Sequence, residues 1–182
     1  MKQRWIILDR DGVINQDSDD YVKSLDEFIP IPGSVAAIAK LCQAGYKVLV
    51  ATNQSGIARG YSDLTTLQAM HEKLGEELAQ LGSEITDIAF CPHGPDEGCD
   101  CRKPKPGMYQ TLAKKHGFDL QDVPVIGDSL RDLQAAQAVA ARPILVRTGK
   151  GLRTLAKGEG LEDIPVYDDL AAAAEALLAE EK

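Results

Sequence analysis

Asp9 and Asp11 stand two residues apart, with Arg10 between them and Gly12 after them, directly downstream of the apolar run Trp5-Ile6-Ile7-Leu8. Two carboxylates this close repel each other unless a cation sits between them. Oxygen ligands in small number suit Mg²⁺, which keeps several waters and bridges readily to phosphate. Two more stretches end in the same way. Lys47 to Ala51 runs into Thr52-Asn53-Gln54-Ser55, and Val123 to Ile126 into Gly127-Asp128-Ser129. Between them lies the basic cluster Arg102-Lys103-Pro104-Lys105 in a chain of net charge −8. Carboxylates, a hydroxyl and a fixed cation are the parts of phosphoryl transfer. A carboxylate nucleophile would form an aspartyl phosphate and divide a hard hydrolysis into two easier steps. Separately, Cys91, His93, Cys99 and Cys101 supply three thiols and an imidazole. These fit a closed tetrahedral Cys₃His zinc site with no open position, and hence a structural one.

Short apolar runs that end in polar clusters read as strands buried on both faces of a parallel sheet, with their C-terminal ends forming a ligand edge. Strands are expected near 5–8, 47–51, 85–90, 123–126, 143–146 and 164–167. Helices are expected over 33–44, 63–81, 108–116, 130–139 and 171–178, several of them stopped by glycine. Strands alternating with helices give an α/β fold, a doubly wound, Rossmann-like parallel sheet. Residues 15–32 read as a polar loop with room for a short hairpin. His71 lies on an apolar helical stripe and reads as a core or edge residue, His116 as a solvent-facing residue of a last helical turn.

The 182 residues suit one domain spanning 1–182, and 44% hydrophobic with 26% charged residues is ordinary globular composition. The excess of acid argues against a nucleic-acid or anionic-membrane partner. No apolar run reaches membrane-spanning length, and Asp9 to Asp11 interrupt any signal-peptide core. A cytoplasmic monomer is expected, its clustered cysteines reduced and metal-binding rather than paired.

In order, Asp9-Arg10-Asp11-Gly12-Val13, Thr52-Asn53, Lys103 and Gly127-Asp128 resemble the four motifs of the haloacid dehalogenase (HAD) superfamily of phosphatases. The resemblance implies that Asp9 is the nucleophile and Asp11 the general acid/base. It implies that Thr52 and Lys103 hold the phosphoryl oxygens, and that Asp9, the Asp11 backbone carbonyl and Asp128 hold Mg²⁺. No separate cap domain fits between the motifs, so the loops 13–32 and 54–62 and the zinc loop must select the substrate. Asp17, Asp20, Tyr21, Asn53, Gln54, Ser55, Arg102 and Ser129 are the substrate-binding candidates, with Thr52 and Lys103. Since Lys103 suffices for the transferring phosphate, Arg102 with its planar fork is assigned to a second phosphate.

Cap-less members with such a zinc loop form two groups. One hydrolyses a heptose bisphosphate in the making of nucleotide-activated heptose, a lipopolysaccharide core precursor; the other hydrolyses histidinol phosphate. Pro106-Gly107-Met108 and Val146-Arg147-Thr148-Gly149-Lys150 resemble the first group, so a small sugar bisphosphate is the expected substrate. The five residues between His93 and Cys99 are closer to the second. A phospho-accepting receiver module carries similar parts. It places its aspartate on a middle strand, however, not the first, and leaves the cysteine cluster unexplained.

Overall fold

The computed structural model describes residues 3–180. Strand β1 (Arg4–Leu8) is apolar in succession because both its faces are covered. Ile6 and Leu8 face one core layer with Ile38, Leu41, Met70 and Leu74, while Ile7 faces the other with Met108, Tyr109 and Leu112. The helices behind those contacts are α1 (Ser34–Gln43), α2 (Leu64–Ala79) and α3 (Gly107–His116).

Strands β2 (Tyr46–Asn53), β3 (Asp87–Cys91), β4 (Pro124–Gly127), β5 (Arg142–Val146) and β6 (Val166–Tyr167) complete the sheet. Its order is β3-β2-β1-β4-β5-β6, with every pairing parallel. The chain winds outward from β1 through β2 to β3, then returns to the other side of β1 as β4. β1 and β4 therefore flank the topological switch point, where such sheets bind ligands. Helices α4 (Leu130–Ala138), α5 (Gly151–Lys157) and α6 (Leu170–Ala179) follow the last three strands. This is the doubly wound architecture expected from the sequence.

Three details differ from that expectation. α5 was not anticipated: its seven residues are too few to show a helical period, although Gly158 closes it with φ 70°. The loop 15–32 contains no hairpin among its strands, only single bridges of Asn15 to Asp11 and Pro30, and a 3-10 turn over Leu25–Glu27. His116 does not face solvent. It is half-buried, its Nε2 is 2.8 Å from Asp87 Oδ2, and its ring lies 5.6 Å from that of Trp5.

Candidate active site

Asp9 follows the last residue of β1 and is fixed from behind: its amide donates to Ile126 O at 2.9 Å, and the Arg10 amide donates to its Oδ1 at 2.8 Å. Gly12 turns the chain away with φ 89°. A Cβ there would run into the Asp128 carboxylate, so the glycine lets β1 and β4 deliver their aspartates to one point. Asp9, Asp128 and Asp132 each place a carboxylate oxygen within 4.8 Å of the others.

Such crowding shows in their protonation. Burial, with Asp132 and Asp11 nearby, pushes the Asp9 carboxyl up to about 7 against the pull of Lys103. Burial together with Asp9 and Asp132 pushes Asp128 up to about 9. Asp132 is different. Burial would raise it, but Lys103 holds it below the ordinary carboxylate range.

Lys103, 3% exposed, reaches Asp132 Oδ1 at 2.5 Å, Asp9 Oδ1 at 3.2 Å and Ala51 O at 2.9 Å. Burial alone would lower this ammonium, but Asp132 and Asp9 outweigh it and keep it charged. Asn53 fixes the same residue through its peptide. Its Oδ1 accepts from the Lys103 amide at 3.0 Å and its Nδ2 donates to the Lys103 carbonyl at 3.3 Å. The Asn53 side chain, expected at the substrate, is thus committed to placing the lysine.

Asp11 is held from several sides. Its Oδ1 accepts from Arg10 Nε at 2.9 Å and Asn15 Nδ2 at 2.9 Å, and its Oδ2 from Gln54 Nε2 at 3.1 Å. The same Gln54 group donates to Thr52 Oγ1 at 2.9 Å. Asp128 accepts from the Lys150 amide at 2.8 Å, and its carbonyl accepts from the Thr154 hydroxyl at 2.8 Å, so the start of α5 secures the aspartate that follows β4.

These groups open into a cleft of about 360 Å³. Asp9, Asp11, Asp17, Tyr21, Thr52, Asn53, Gln54, Ser55, Arg102, Lys103, Asp128 and Ser129 all line it. Asp20 does not. The loop turns at Ser18, whose hydroxyl accepts from the Asp20 amide, and Tyr21 adopts φ 68°. Asp20 is thereby left exposed, and Asp19 lines the cleft instead, gripped by Arg153 at 2.7 and 2.9 Å. Arg59 and Arg131 line the same cleft as Arg102. Burial, with Arg131 and Arg59 nearby, holds the Arg102 guanidinium below its usual range. Converging cations of this kind make an anion site.

Sequence reasoning did not single out Arg10, Asn15, Asp132, Arg59 or Arg131. For Asp132 a signal was present: Ser129 followed three residues later by an acid is a capping box, and Asp132 Oδ2 accepts from the Ser129 amide at 3.2 Å.

The cysteine loop leaves β3 at Cys91. Cys91 Sγ lies 3.4 Å from His93 Nδ1, 3.6 Å from Cys99 Sγ and 2.9 Å from Cys101 Sγ, and all four ligand atoms fall within 4.8 Å of one another. Without a metal the thiols disagree. Burial and Cys101 push Cys91 up to about 12, whereas Cys99, despite burial, is drawn down to about 6 by the Arg102 amide. The four atoms can hold a metal ion. The loop continues directly into Arg102 and Lys103.

Comparison with known proteins agrees with this geometry. The family model for polynucleotide kinase 3 phosphatase matches residues 5–130, and the HAD-hydrolase-like model matches residues 100–173. A D-glycero-beta-D-manno-heptose-1,7-bisphosphate 7-phosphatase of Pseudomonas aeruginosa is 60% identical over 178 residues, 98% of this chain and 99% of that protein. The enzyme of the same name from Bordetella bronchiseptica is 58% identical over 177 residues, 97% and 99% of the two chains. A crystal structure of the B. bronchiseptica D,D-heptose 1,7-bisphosphate phosphatase with magnesium and phosphate superposes with a TM-score of 0.95 at 57% identity, covering 98% and 99%. That of the Burkholderia thailandensis enzyme gives 0.77 at 45%, covering 97% and 99%. A chain so similar over nearly its whole length, and so matched in fold, belongs to the D-glycero-beta-D-manno-heptose-1,7-bisphosphate 7-phosphatase family of HAD-like phosphatases.

Proposed function

We propose that this chain removes the 7-phosphate of D-glycero-β-D-manno-heptose 1,7-bisphosphate through an aspartyl phosphate on Asp9, with Mg²⁺ bound at Asp9, Asp128 and the Asp11 carbonyl. The observation that carries the reading is the convergence of Asp9, Asp128 and Lys103 at the switch point, in a chain whose relatives bear that activity. The fit to a divalent cation rests on Asp9 and Asp128, two buried carboxyls with oxygens within 4.8 Å of each other, Asp9 raised by burial, Asp132 and Asp11 and Asp128 by burial, Asp9 and Asp132. Asp132 is adjacent, but its oxygens are already engaged by Lys103 and the Ser129 amide. When bound, the metal would neutralise charge on the carboxylates and on the phosphoryl oxygens.

Asp9 attacks phosphorus and the P–O7 bond breaks. Asp11 gives its proton to the departing sugar oxygen, then takes one from the water that cleaves the acyl phosphate. Phosphate leaves and the Asp9 carboxylate is restored. Lys103 and Thr52 face the transferring group. Lys103 is a point charge that cannot wander, because Asp132, Ala51 O and the Asn53 clamp hold it.

Arg102, with Arg59 and Arg131, takes the 1-phosphate, and the loops 13–32 and 54–62 and the cysteine loop enclose the sugar. Zinc at Cys91, His93, Cys99 and Cys101 keeps Arg102 and Lys103 aimed at the cleft. A thiol-rich ligand set suits a reducing compartment, which supports work in the cytoplasm, and the proposed state is a monomer. Among the described residues no helix is long and apolar enough to cross a membrane.

A phosphate-release panel with Mg²⁺, containing heptose 1,7-bisphosphate, the 7-monophosphate, histidinol phosphate and a 3′-phosphorylated oligonucleotide, tests the reading. The bisphosphate should give the highest kcat/KM, and Arg102→Ala should cost about 2–4 kcal/mol of transition-state stabilisation on it alone. Asp9→Asn should be inactive while folded. A higher kcat/KM on histidinol phosphate would overturn the substrate assignment.

A further inference from the structure

Among the described residues Arg10 is the largest side chain with no exposure at all, and nothing in the reaction as described so far uses it. Burying a guanidinium is costly unless each face and edge of it has a partner. Here they do. Nε donates to Asp11 Oδ1 at 2.9 Å and Nη2 lies 2.7 Å from the same oxygen. Nη1 is 3.3 Å from His71 Nε2 and 3.5 Å from Met70 Sδ, and the plane stands 5.3 Å over the Phe28 ring. A guanidinium can only donate, so His71 Nε2 must be the acceptor. Burial and Arg10 itself keep that imidazole neutral, with its pKa pushed down to about 4. The backbone of Arg10 is equally fixed: its carbonyl accepts from the amides of Val13, Ile14 and Asn15.

The consequence falls on Asp11. Its Oδ1 is crowded by Arg10 and by Asn15 Nδ2 at 2.9 Å, whereas Oδ2 has only Gln54 Nε2 at 3.1 Å. One oxygen is used up by the protein and the other is left with acceptor capacity. We propose that Arg10 is a positioning residue of the phosphatase reaction: it pins Asp11 Oδ1 so that Oδ2 alone carries the proton, and it ties that orientation to α2 through Met70 and His71. This rests on Asp11 being the general acid/base. An unpinned carboxylate would rotate and exchange its two oxygens. A fork is needed because a lysine at this position could hold Oδ1 or His71 but not both.

The test exploits the leaving group. A sugar alkoxide needs the proton that Asp11 supplies, but 4-nitrophenolate leaves without it. Arg10→Met and Arg10→Lys should be compared with the parent protein and with Asp11→Asn, all with Mg²⁺. On heptose 1,7-bisphosphate both Arg10 variants should lose kcat by about 10²-fold, the scale of a misplaced catalytic group, with KM unchanged. On 4-nitrophenyl phosphate the first-turnover burst of nitrophenolate should keep the parent rate while the steady state slows, since hydrolysis of the acyl phosphate still needs Asp11 as base. A burst slowed by the same factor as kcat would make Arg10 merely structural and overturn the proposal. So would parent-like kcat in both variants, or the failure of both to fold. If Asp11→Asn itself keeps parent kcat on the sugar, the acid/base assignment fails instead, a result separable from the others.

Discussion

Asp132→Asn is the perturbation with the most legible cost. One carboxylate oxygen, Oδ1, holds the Lys103 ammonium at 2.5 Å; the other accepts from the Asp128 and Ser129 amides at 3.2 Å each and from the Ser129 hydroxyl at 3.0 Å. Asparagine has one acceptor and one donor. If its oxygen serves Lys103, its NH₂ faces three donors; if its oxygen serves the amides, its NH₂ faces an ammonium. Neither rotamer satisfies both sides. Lys103 is 3% exposed and cannot recover the loss from water. Removing one member of a buried pair costs about 3–5 kcal/mol. Asparagine keeps one of the two interactions, so about 3 kcal/mol is expected, or roughly 6–12 °C in Tm for a chain of this size. The released ammonium should also settle on Asp9, its other carboxylate neighbour at 3.2 Å, and blunt the nucleophile. Thermal unfolding with Mg²⁺ and chelator, followed by kcat, reads both effects. A folded Asp132→Asn protein with an unchanged Tm would refute the reasoning, because the pair would then contribute nothing that an amide cannot.

Two more outcomes follow from the same geometry. Asp9 and Asp128 are raised to about 7 and about 9, so the folded metal-free protein holds protons that the unfolded chain has already released. That contribution is complete below the unfolded carboxylate value and is lost as pH rises through the folded ones, so metal-free Tm should fall from about pH 5 to about pH 8. Mg²⁺ should restore more Tm at the higher pH, and a metal-free Tm that rises over that interval would contradict the assignment. In the cysteine loop, Cys99→Ser/Cys101→Ser should remove one zinc per chain by elemental analysis and lower kcat by about 10²-fold, the scale for misplacing Lys103; full activity without zinc would show that the loop does not aim the lysine.

The sheet was readable because each strand is a short apolar run between polar clusters, and a strand covered on both faces leaves no other pattern. The edge chemistry was readable for the same reason. Asp9, Thr52 and Asp128 each follow an apolar run, and a parallel sheet sends all such ends to one side. Asp20 was misplaced because position in a turn depends on backbone dihedrals, here the φ of 68° at Tyr21, and three acids in four residues look alike in sequence. α5 was missed because seven residues do not complete two turns. His116 was sent to solvent by its place in a last turn, but its partner Asp87 lies 29 residues away on another element. Arg10 was passed over for a related reason. Polarity assigns an arginine to the surface, and only the assembled fold shows Phe28, Met70 and His71 closing around it.

What these residues share is a division between charges that the protein satisfies and charges it leaves unsatisfied. Lys103 and Asp132 cancel each other, and Arg10 cancels Asp11. Asp17 meets Lys150 at 3.3 Å, and Asp19 meets Arg153. Asp9 and Asp128 have no such partner of their own; Asp9 shares Lys103 with a nearer carboxylate, and Asp128 has the Lys150 amide. Among the described residues lining the same cleft, Arg131 has no carboxylate partner, and Arg102 reaches only the His93 carbonyl, at 3.4 Å. The imbalance is therefore a pair: surplus negative charge at the sheet edge and surplus positive charge among the arginines of the same cleft. A divalent cation would relieve the first and an anionic group the second, and a substrate carrying two phosphates, as proposed, would bring the anion to both. The same imbalance destabilises the empty fold, so stability and catalysis are opposed at Asp9 and Asp128, and a substitution that relaxed their repulsion, such as Asp128→Asn, should raise metal-free Tm while weakening the grip on Mg²⁺.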